Sequence, residues 1–131
     1  MTGPIYVVDD EPYIRSAVLA VLGEAGYEVE AFPAATELYT RIVETDTLPA
    51  LIVVDEMLPD ESGDVIVRSL RERPQYRDIP FLFLTAVSSD AAERLTDLAP
   101  VIRKPFDFGE LVDRVAEVVG PARAEVSATT T

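Results

Sequence analysis

Asp9 and Asp10, Asp55, Thr85 and Lys104 each stand just past a short apolar run, although they lie far apart along the chain. Carboxylates, a hydroxyl and an ammonium are the groups that hold a hard cation through oxygen and steady an anion beside it. Taken singly, each has an ordinary structural reading. Asp9 or Asp10 would cap a helix opening at Pro12, Thr85 would be a turn hydroxyl, Lys104 solvated surface, and Asp55 a turn residue ahead of Pro59 and Gly63. Those readings do not account for the shared position at the ends of apolar runs. Asp55 is the most pointed case: it closes the four apolar residues 51–54, and a charge at the end of a buried strand costs solvation unless something pairs with it. The chain has no histidine and no cysteine, which removes the commonest general base, thiolate metal sites and disulfides.

The elements that must position these groups alternate regularly. Residues 5–8 read as a strand, and Pro12 suits the first turn of a helix that buries Ile14, Ala17, Val18, Val21 and Leu22 and stops near Gly26. Residues 27–32 offer a second strand, followed by a helix with Ala35, Leu38, Tyr39, Ile42 and Val43 at helical spacing. Residues 51–54 form a third strand before a helix over 62–73. Residues 81–84 form the fourth, before a short helix opened by an Asp90–Glu93 capping box. Residues 101–103 form a brief fifth. Asp107 and Glu110 open a last helix lined by Phe108, Leu111, Val112, Val115 and Val119 and ended by Gly120 and Pro121. Strands without polar alternation, each followed by a helix, predict an α/β fold: a three-layer, doubly wound, five-stranded parallel sheet. In such a sheet functional groups gather beyond the carboxyl ends of the strands. The first, third, fourth and fifth strands end at Asp9-Asp10, Asp55, Thr85 and Lys104; the second ends at Pro33, which carries no chemistry.

The chain of 131 residues is long enough for one domain with a real core, assigned here to residues 1–120, with a disordered tail or linker over 121–131. Its net charge of −13 opposes nucleic acid and anionic membranes, so neither is an expected partner. The basic residues Arg68, Arg71, Arg73 and Arg77 read as a solvated helix face, not a DNA footprint. No apolar stretch reaches membrane-spanning length and no leader opens the chain, so a soluble cytoplasmic protein is expected.

Several carboxylates at one edge repel one another and respond by keeping a proton or by binding a hard cation. Mg²⁺ suits a site with a few carboxylates, water and a phosphate oxygen, and Lys104 adds a charge that counters an incoming anion. Four segments carry a resemblance: Val7-Val8-Asp9-Asp10-Glu11, the run Asp55-Glu56-Met57-Leu58-Pro59-Asp60-Glu61-Ser62-Gly63, Leu84-Thr85-Ala86, and Lys104-Pro105-Phe106. In this order at these strand ends, the sequence resembles the receiver domain of two-component response regulators, a (βα)5 flavodoxin-like fold, over about residues 3–120.

The resemblance implies a phosphorylation-dependent switch and not a turnover enzyme. Asp55 is the phosphoacceptor, served by a sensor histidine kinase, a phosphotransfer protein or acetyl phosphate. Mg²⁺ is held by Asp10 directly, Asp9 mainly through water, Asp55, and the backbone carbonyl of Met57. Lys104 pairs with Asp55 before reaction and with a phosphoryl oxygen afterwards, and Thr85 turns its hydroxyl to another. The face of the fourth helix, fifth strand and fifth helix then changes for a downstream partner or a linked effector domain. A lysine–proline bond that is cis is common in the family at Lys104-Pro105. Chain length alone leaves both a stand-alone receiver and the front of a longer regulator open.

Some positions depart from the family pattern. Val101 stands where an aromatic residue is usual, Leu98-Ala99-Pro100 replaces a Gly-Ala, and the interval from Thr85 to Lys104 is short, which predicts a clipped fourth helix. Apolar Met57 and Val87, where polar side chains can orient attacking water, imply a long-lived phosphoform. Asp60 and Glu61 are expected to add negative charge at the mouth of the site. Two other classes fit less well. A haloacid-dehalogenase-type phosphatase needs acids two apart after the first strand, which Asp9 and Glu11 half supply, and a cap domain for which there is no room. A flavin carrier needs a Ser/Thr/Gly-rich phosphate loop where Asp9, Asp10 and Glu11 stand. A phosphorylation-independent interaction module is the third alternative, kept open by the altered output face.

Overall fold

The structure, a computed structural model, describes residues 3–121. The elements alternate throughout: β1 (Ile5–Val8), α1 (Pro12–Glu24), β2 (Val29–Phe32), α2 (Ala35–Glu44), β3 (Leu51–Val54), α3 (Gly63–Arg71), β4 (Phe81–Thr85), α4 (Ser89–Leu95), β5 (Val101–Arg103) and α5 (Phe108–Val119). All strand pairs are parallel, in the order β2-β1-β3-β4-β5. Successive side chains of a strand face opposite sides. Tyr6 and Val8 therefore pack with Leu38, Ile42, Ile66 and Leu70 under α2 and α3, while Ile5 and Val7 pack with Val18, Leu22, Leu111 and Val115 under α1 and α5. Burial on both faces explains why β1, β3 and β4 are uninterrupted apolar runs. Among the described residues no helix is long and apolar enough to cross a membrane.

Chain order reverses between β1 and β3, so the crevice of the doubly wound sheet opens at their carboxyl ends. The sequence expectations differ from the structure at several boundaries. β2 begins at Val29, because Gly26 at φ 100° turns the chain and Tyr27 still bonds back through its N–H to the Leu22 carbonyl. α3 ends at Arg71, before the residue preceding Pro74, which disfavours helix. α4 opens two residues ahead of the expected box: Ser88 Oγ accepts from the Ala91 N–H at 3.2 Å, and the helix has only seven residues. On α2, Val43 is 73% exposed, because Ala35, Leu38 and Ile42 complete the buried stripe. Phe108 is 48% exposed and meets the Phe106 ring edge-on instead of lining the core. Arg68 pairs with Asp64 one turn earlier, and the Arg71 guanidinium lies 5.7 Å from the Phe81 ring centre. The tail assigned from residue 121 falls, from 122 onward, outside the described residues.

Candidate functional site

The two central strands deliver their acids by prolonging the ladder one residue past each strand. The Asp9 N–H donates to the Phe32 carbonyl at 3.1 Å and the Asp55 N–H to the Val8 carbonyl at 3.0 Å. The two carboxylates are then held alike. Asp9 Oδ1 accepts from the Glu11 N–H and Asp55 Oδ1 from the Met57 N–H, both at 3.0 Å. Their other oxygens share one cation: Lys104 Nζ donates to Asp9 Oδ2 at 2.7 Å and to Asp55 Oδ2 at 3.0 Å, and reaches Glu11 Oε1 at 3.3 Å. Lys104 arrives from β5, its N–H bonded to the Thr85 carbonyl at 2.8 Å and its peptide bond to Pro105 cis.

Asp9 and Asp55 are 2% and 4% exposed, so this is a charge cluster inside the fold. Burial pushes the Asp9 carboxyl above the usual carboxylate range, although its bond to Lys104 works the other way. Burial alone would lower Lys104, but its bonds to Asp9 and Asp55 outweigh that and hold the ammonium firmly charged. One oxygen each of Asp9, Glu11 and Asp55 lie within 4.8 Å of one another. Against one lysine the three acids formally leave an excess of two negative charges. Hard oxygen donors in that number, two of them buried, fit a divalent ion of the Mg²⁺ kind.

Of the residues singled out from sequence, Asp9, Asp55 and Lys104 meet directly. Thr85 is fully buried at the end of β4, and its Oγ1 has no hydrogen-bond partner in the structure. A buried hydroxyl without a partner is uncommon and costs stability. Asp10 is exposed, and it is Glu11 that completes the close group of carboxylates. The Met57 side chain is 63% exposed, while its N–H is engaged by Asp55.

The expectation that Asp60 and Glu61 crowd the mouth of the site is corrected. Both turn to α2. Asp60 Oδ1 accepts from the Ala35 N–H at 3.0 Å, and Oδ2 accepts from the Thr36 N–H at 2.9 Å and its hydroxyl at 2.8 Å. Those bonds, the Thr36 hydroxyl first, hold the Asp60 carboxyl below its usual range. Glu61 accepts from the Tyr39 hydroxyl, whose pKa burial and that carboxylate raise. The sequence also hid two supports of Asp55. Glu56 Oε1 accepts from the Asp64 N–H at 2.7 Å, and burial, followed by the neighbouring Asp64 carboxyl, pushes the Glu56 carboxyl up to about 7. At Gly63 the first turn of α3 lies so close to Asp55 that a Cβ would sit 2.5 Å from its carbonyl oxygen.

A doubly wound α/β domain with a buried acid pair, a lysine and a threonine at its switch point defines a class of phosphoryl-handling proteins. Comparison with known proteins agrees. Residues 5–116 match the family model of the response regulator receiver domain. The phosphate regulon transcriptional regulatory protein PhoB of Rhizobium meliloti (strain 1021) is 35% identical over 133 residues, covering 98% of this chain and 57% of that protein. Response regulator Rre1 of Synechocystis is 32% identical over 128 residues, covering 95% and 54%. The chain spans about half the length of these curated relatives. Among solved structures, chemotaxis protein CheY4 of Vibrio cholerae matches with a TM-score of 0.78 at 26% identity, covering 90% of this chain and 99% of that one. The BeF3-activated DrrB receiver domain matches at 0.77 and 28%, covering 90% and 97%. The chain belongs to the response regulator receiver domain family, the phosphorylation-dependent signalling domains of two-component systems.

Proposed function

We propose that Asp55 accepts a phosphoryl group from a phosphohistidine on a sensor kinase or phosphotransfer protein, or from acetyl phosphate. A carboxylate oxygen of Asp55 attacks phosphorus and forms an acyl phosphate. The N–P bond of the donor histidine breaks and its electron pair leaves with the imidazole nitrogen; with acetyl phosphate the O–P bond breaks and the pair leaves with acetate. Hydrolysis later returns the carboxylate, as water attacks phosphorus and the Asp55 oxygen departs. The observation that carries this reading is the buried Asp9–Asp55 pair clasped on a single ammonium, 2.7 and 3.0 Å away, at the switch point of the sheet.

The residues that would hold Mg²⁺ are Asp9 and Asp55, with Asp10, Glu11 and the Met57 main-chain carbonyl at the rim. When bound, the ion neutralises charge on the transferring phosphoryl group, which together with alignment is most of what this reaction needs. Lys104 orients the Asp55 carboxylate, and remains to pair with a phosphoryl oxygen once the carboxylate charge is spent in the acyl phosphate. Thr85 Oγ1, without a partner, has a donor to offer that same group. Its movement would bias the face formed by α4, β5 and α5, and so a downstream protein or a linked effector domain. With Val101 at the start of β5, no aromatic side chain stands at that position to carry the signal. Residues 1–120 are the functional unit on this reading, acting in the cytoplasm, where a kinase would present its phosphohistidine.

The test is intact-protein mass spectrometry after incubation with acetyl phosphate and MgCl₂. One phosphoryl adduct is expected on the wild type and none on Asp55→Asn. An adduct that survives Asp55→Asn refutes the assignment.

A further inference from the structure

The loop that joins β3 to α3 carries the acceptor, yet its middle is held by a helix that contributes nothing to the site. α2 has no cap of its own, because Ala34 supplies no side-chain acceptor. The first amides of a helix need outside partners, and a carboxylate there is further favoured by the helix dipole. Asp60, about 25 residues further along the chain, fills that role with both oxygens and also takes the Thr36 hydroxyl. Its neighbour Glu61 takes the Tyr39 hydroxyl, one turn along α2. Residues three and four apart share a helix face, so the two acids grip consecutive turns of the same face. A single attachment would leave the loop free to swing; two fix its direction as well as its position.

We propose that Asp60 and Glu61 are positioning residues for metal capture: by clamping the loop to two turns of α2, they hold the Met57 main chain and the Asp55 carboxylate in the arrangement a divalent ion requires. The inference rests on the reading of the site given above. It does not make either acid a ligand, since both oxygens of Asp60 and the bonded oxygen of Glu61 are occupied on α2. A loop that leaves the binding arrangement part of the time lowers apparent affinity by the fraction of time it is absent.

The experiment is an NMR titration of the folded chain with MgCl₂, followed at the amides of residues 55–61, with amide exchange at Ala35, Thr36 and Met57 measured without metal. Asp60→Ala should raise the Mg²⁺ Kd about tenfold, in line with other residues that orient a ligand from behind. Tyr39→Phe, which keeps the ring and frees Glu61, should raise it about threefold. Exchange at all three amides should quicken in Asp60→Ala. Asp60→Asn, which keeps one acceptor for α2, should recover most of the affinity. Arg41→Met, also on α2, breaks the 2.7 Å pair with Glu30 of β2 without touching the loop, and should leave the Kd where it was. Should Asp60→Ala fail to fold, Tyr39→Phe decides the matter by itself, a wild-type Kd there overturning the clamp. Wild-type Kd values in Asp60→Ala and Tyr39→Phe overturn the clamp and leave the site assignment intact; so does an Arg41→Met loss as large as theirs. A wild-type chain that binds no Mg²⁺ overturns both.

Discussion

Gly63→Ala is a one-carbon perturbation aimed at the main chain behind Asp55, the proposed acceptor. Gly63 opens α3 and donates its N–H to the Glu56 carbonyl at 3.0 Å. An added Cβ would lie 2.5 Å from the Asp55 carbonyl oxygen, 3.0 Å from Glu56 Cα and 3.1 Å from the Asp55 carbonyl carbon. Ordinary contact begins near 3.4 Å, so the closest pair must separate by about 0.9 Å (3.4 less 2.5). All three neighbours are backbone atoms, and no rotamer change relieves them. Either the first turn of α3 lifts, breaking its bonds to Glu56, or the Asp55 peptide tilts and carries the carboxylate with it. Alanine gains at most about 1 kcal/mol over glycine in a helix, against about 1–3 kcal/mol for overpacking. At mid-range the net expectation is a loss of about 1 kcal/mol (about 2 less about 1), a fall in Tm of about 5 °C. Displacement of a reacting group by about 1 Å costs up to about 100-fold in rate, so labelling by acetyl phosphate at saturating MgCl₂ should slow by about tenfold or more. Gly23→Ala supplies the contrast: nothing lies within 4 Å of its Cβ, and it should stabilise the fold by about 0.4–1 kcal/mol. Thermal melts and timed mass spectrometry on the two variants give the answer. A Gly63→Ala chain that melts and labels like the wild type would refute the argument that this glycine sets the acceptor's place.

Two further perturbations probe the balance of the site. Lys104→Met leaves the buried Asp9 and Asp55 without their shared cation, and should destabilise the chain by about 3 kcal/mol in chelator-treated buffer. Added MgCl₂ should restore much of that loss, and urea midpoints with and without the ion will show whether it does. Thr85→Val removes a buried hydroxyl that lacks a partner while keeping the branched shape. It should stabilise the resting fold by about 1 kcal/mol and shrink the NMR shifts that beryllofluoride induces on α4 and β5. A destabilised Thr85→Val chain would mean that the hydroxyl is satisfied in solution.

The sheet and the meeting of Asp9, Asp55 and Lys104 at its edge were legible because both follow from short-range rules. Runs such as residues 51–54 can be uninterrupted only if both faces are covered, and parallel connection then brings their ends to one edge. What lies one or two residues past a strand is harder to read. After Val8 the chain leaves extended geometry, alternation no longer says which side a residue takes, and it is Glu11 that joins the cluster while Asp10 faces solvent. The clamp on α2 was hidden for a different reason. Sequence signals for helix capping are local, and Ala34 carries none; the acceptor comes from a loop two elements away. The start of α4 failed on a near tie, since Ser88 and Asp90 are both good caps and only the three-dimensional path of the loop chooses between them.

The resting site is satisfied unevenly, and that unevenness suits the proposed switch. Lys104 bridges two buried carboxylates at full hydrogen-bond strength, while Thr85, whose carbonyl holds the Lys104 N–H, keeps an unsatisfied hydroxyl on the next strand. A phosphoryl group on Asp55 would exchange one anionic partner of Lys104 for another, so that interaction changes little. For Thr85 the change is from no partner to a strong anionic acceptor, worth more than a neutral hydrogen bond. On the proposed reading, the free energy that distinguishes the two states would therefore concentrate at β4's last residue. From there Arg103, reaching the Val87 carbonyl at 3.3 Å and Ser89 Oγ at 3.2 Å, ties the following loop and the start of α4 to β5. A seven-residue helix anchored this way can shift as a unit, which would give the proposed output face a means of responding without an aromatic at position 101.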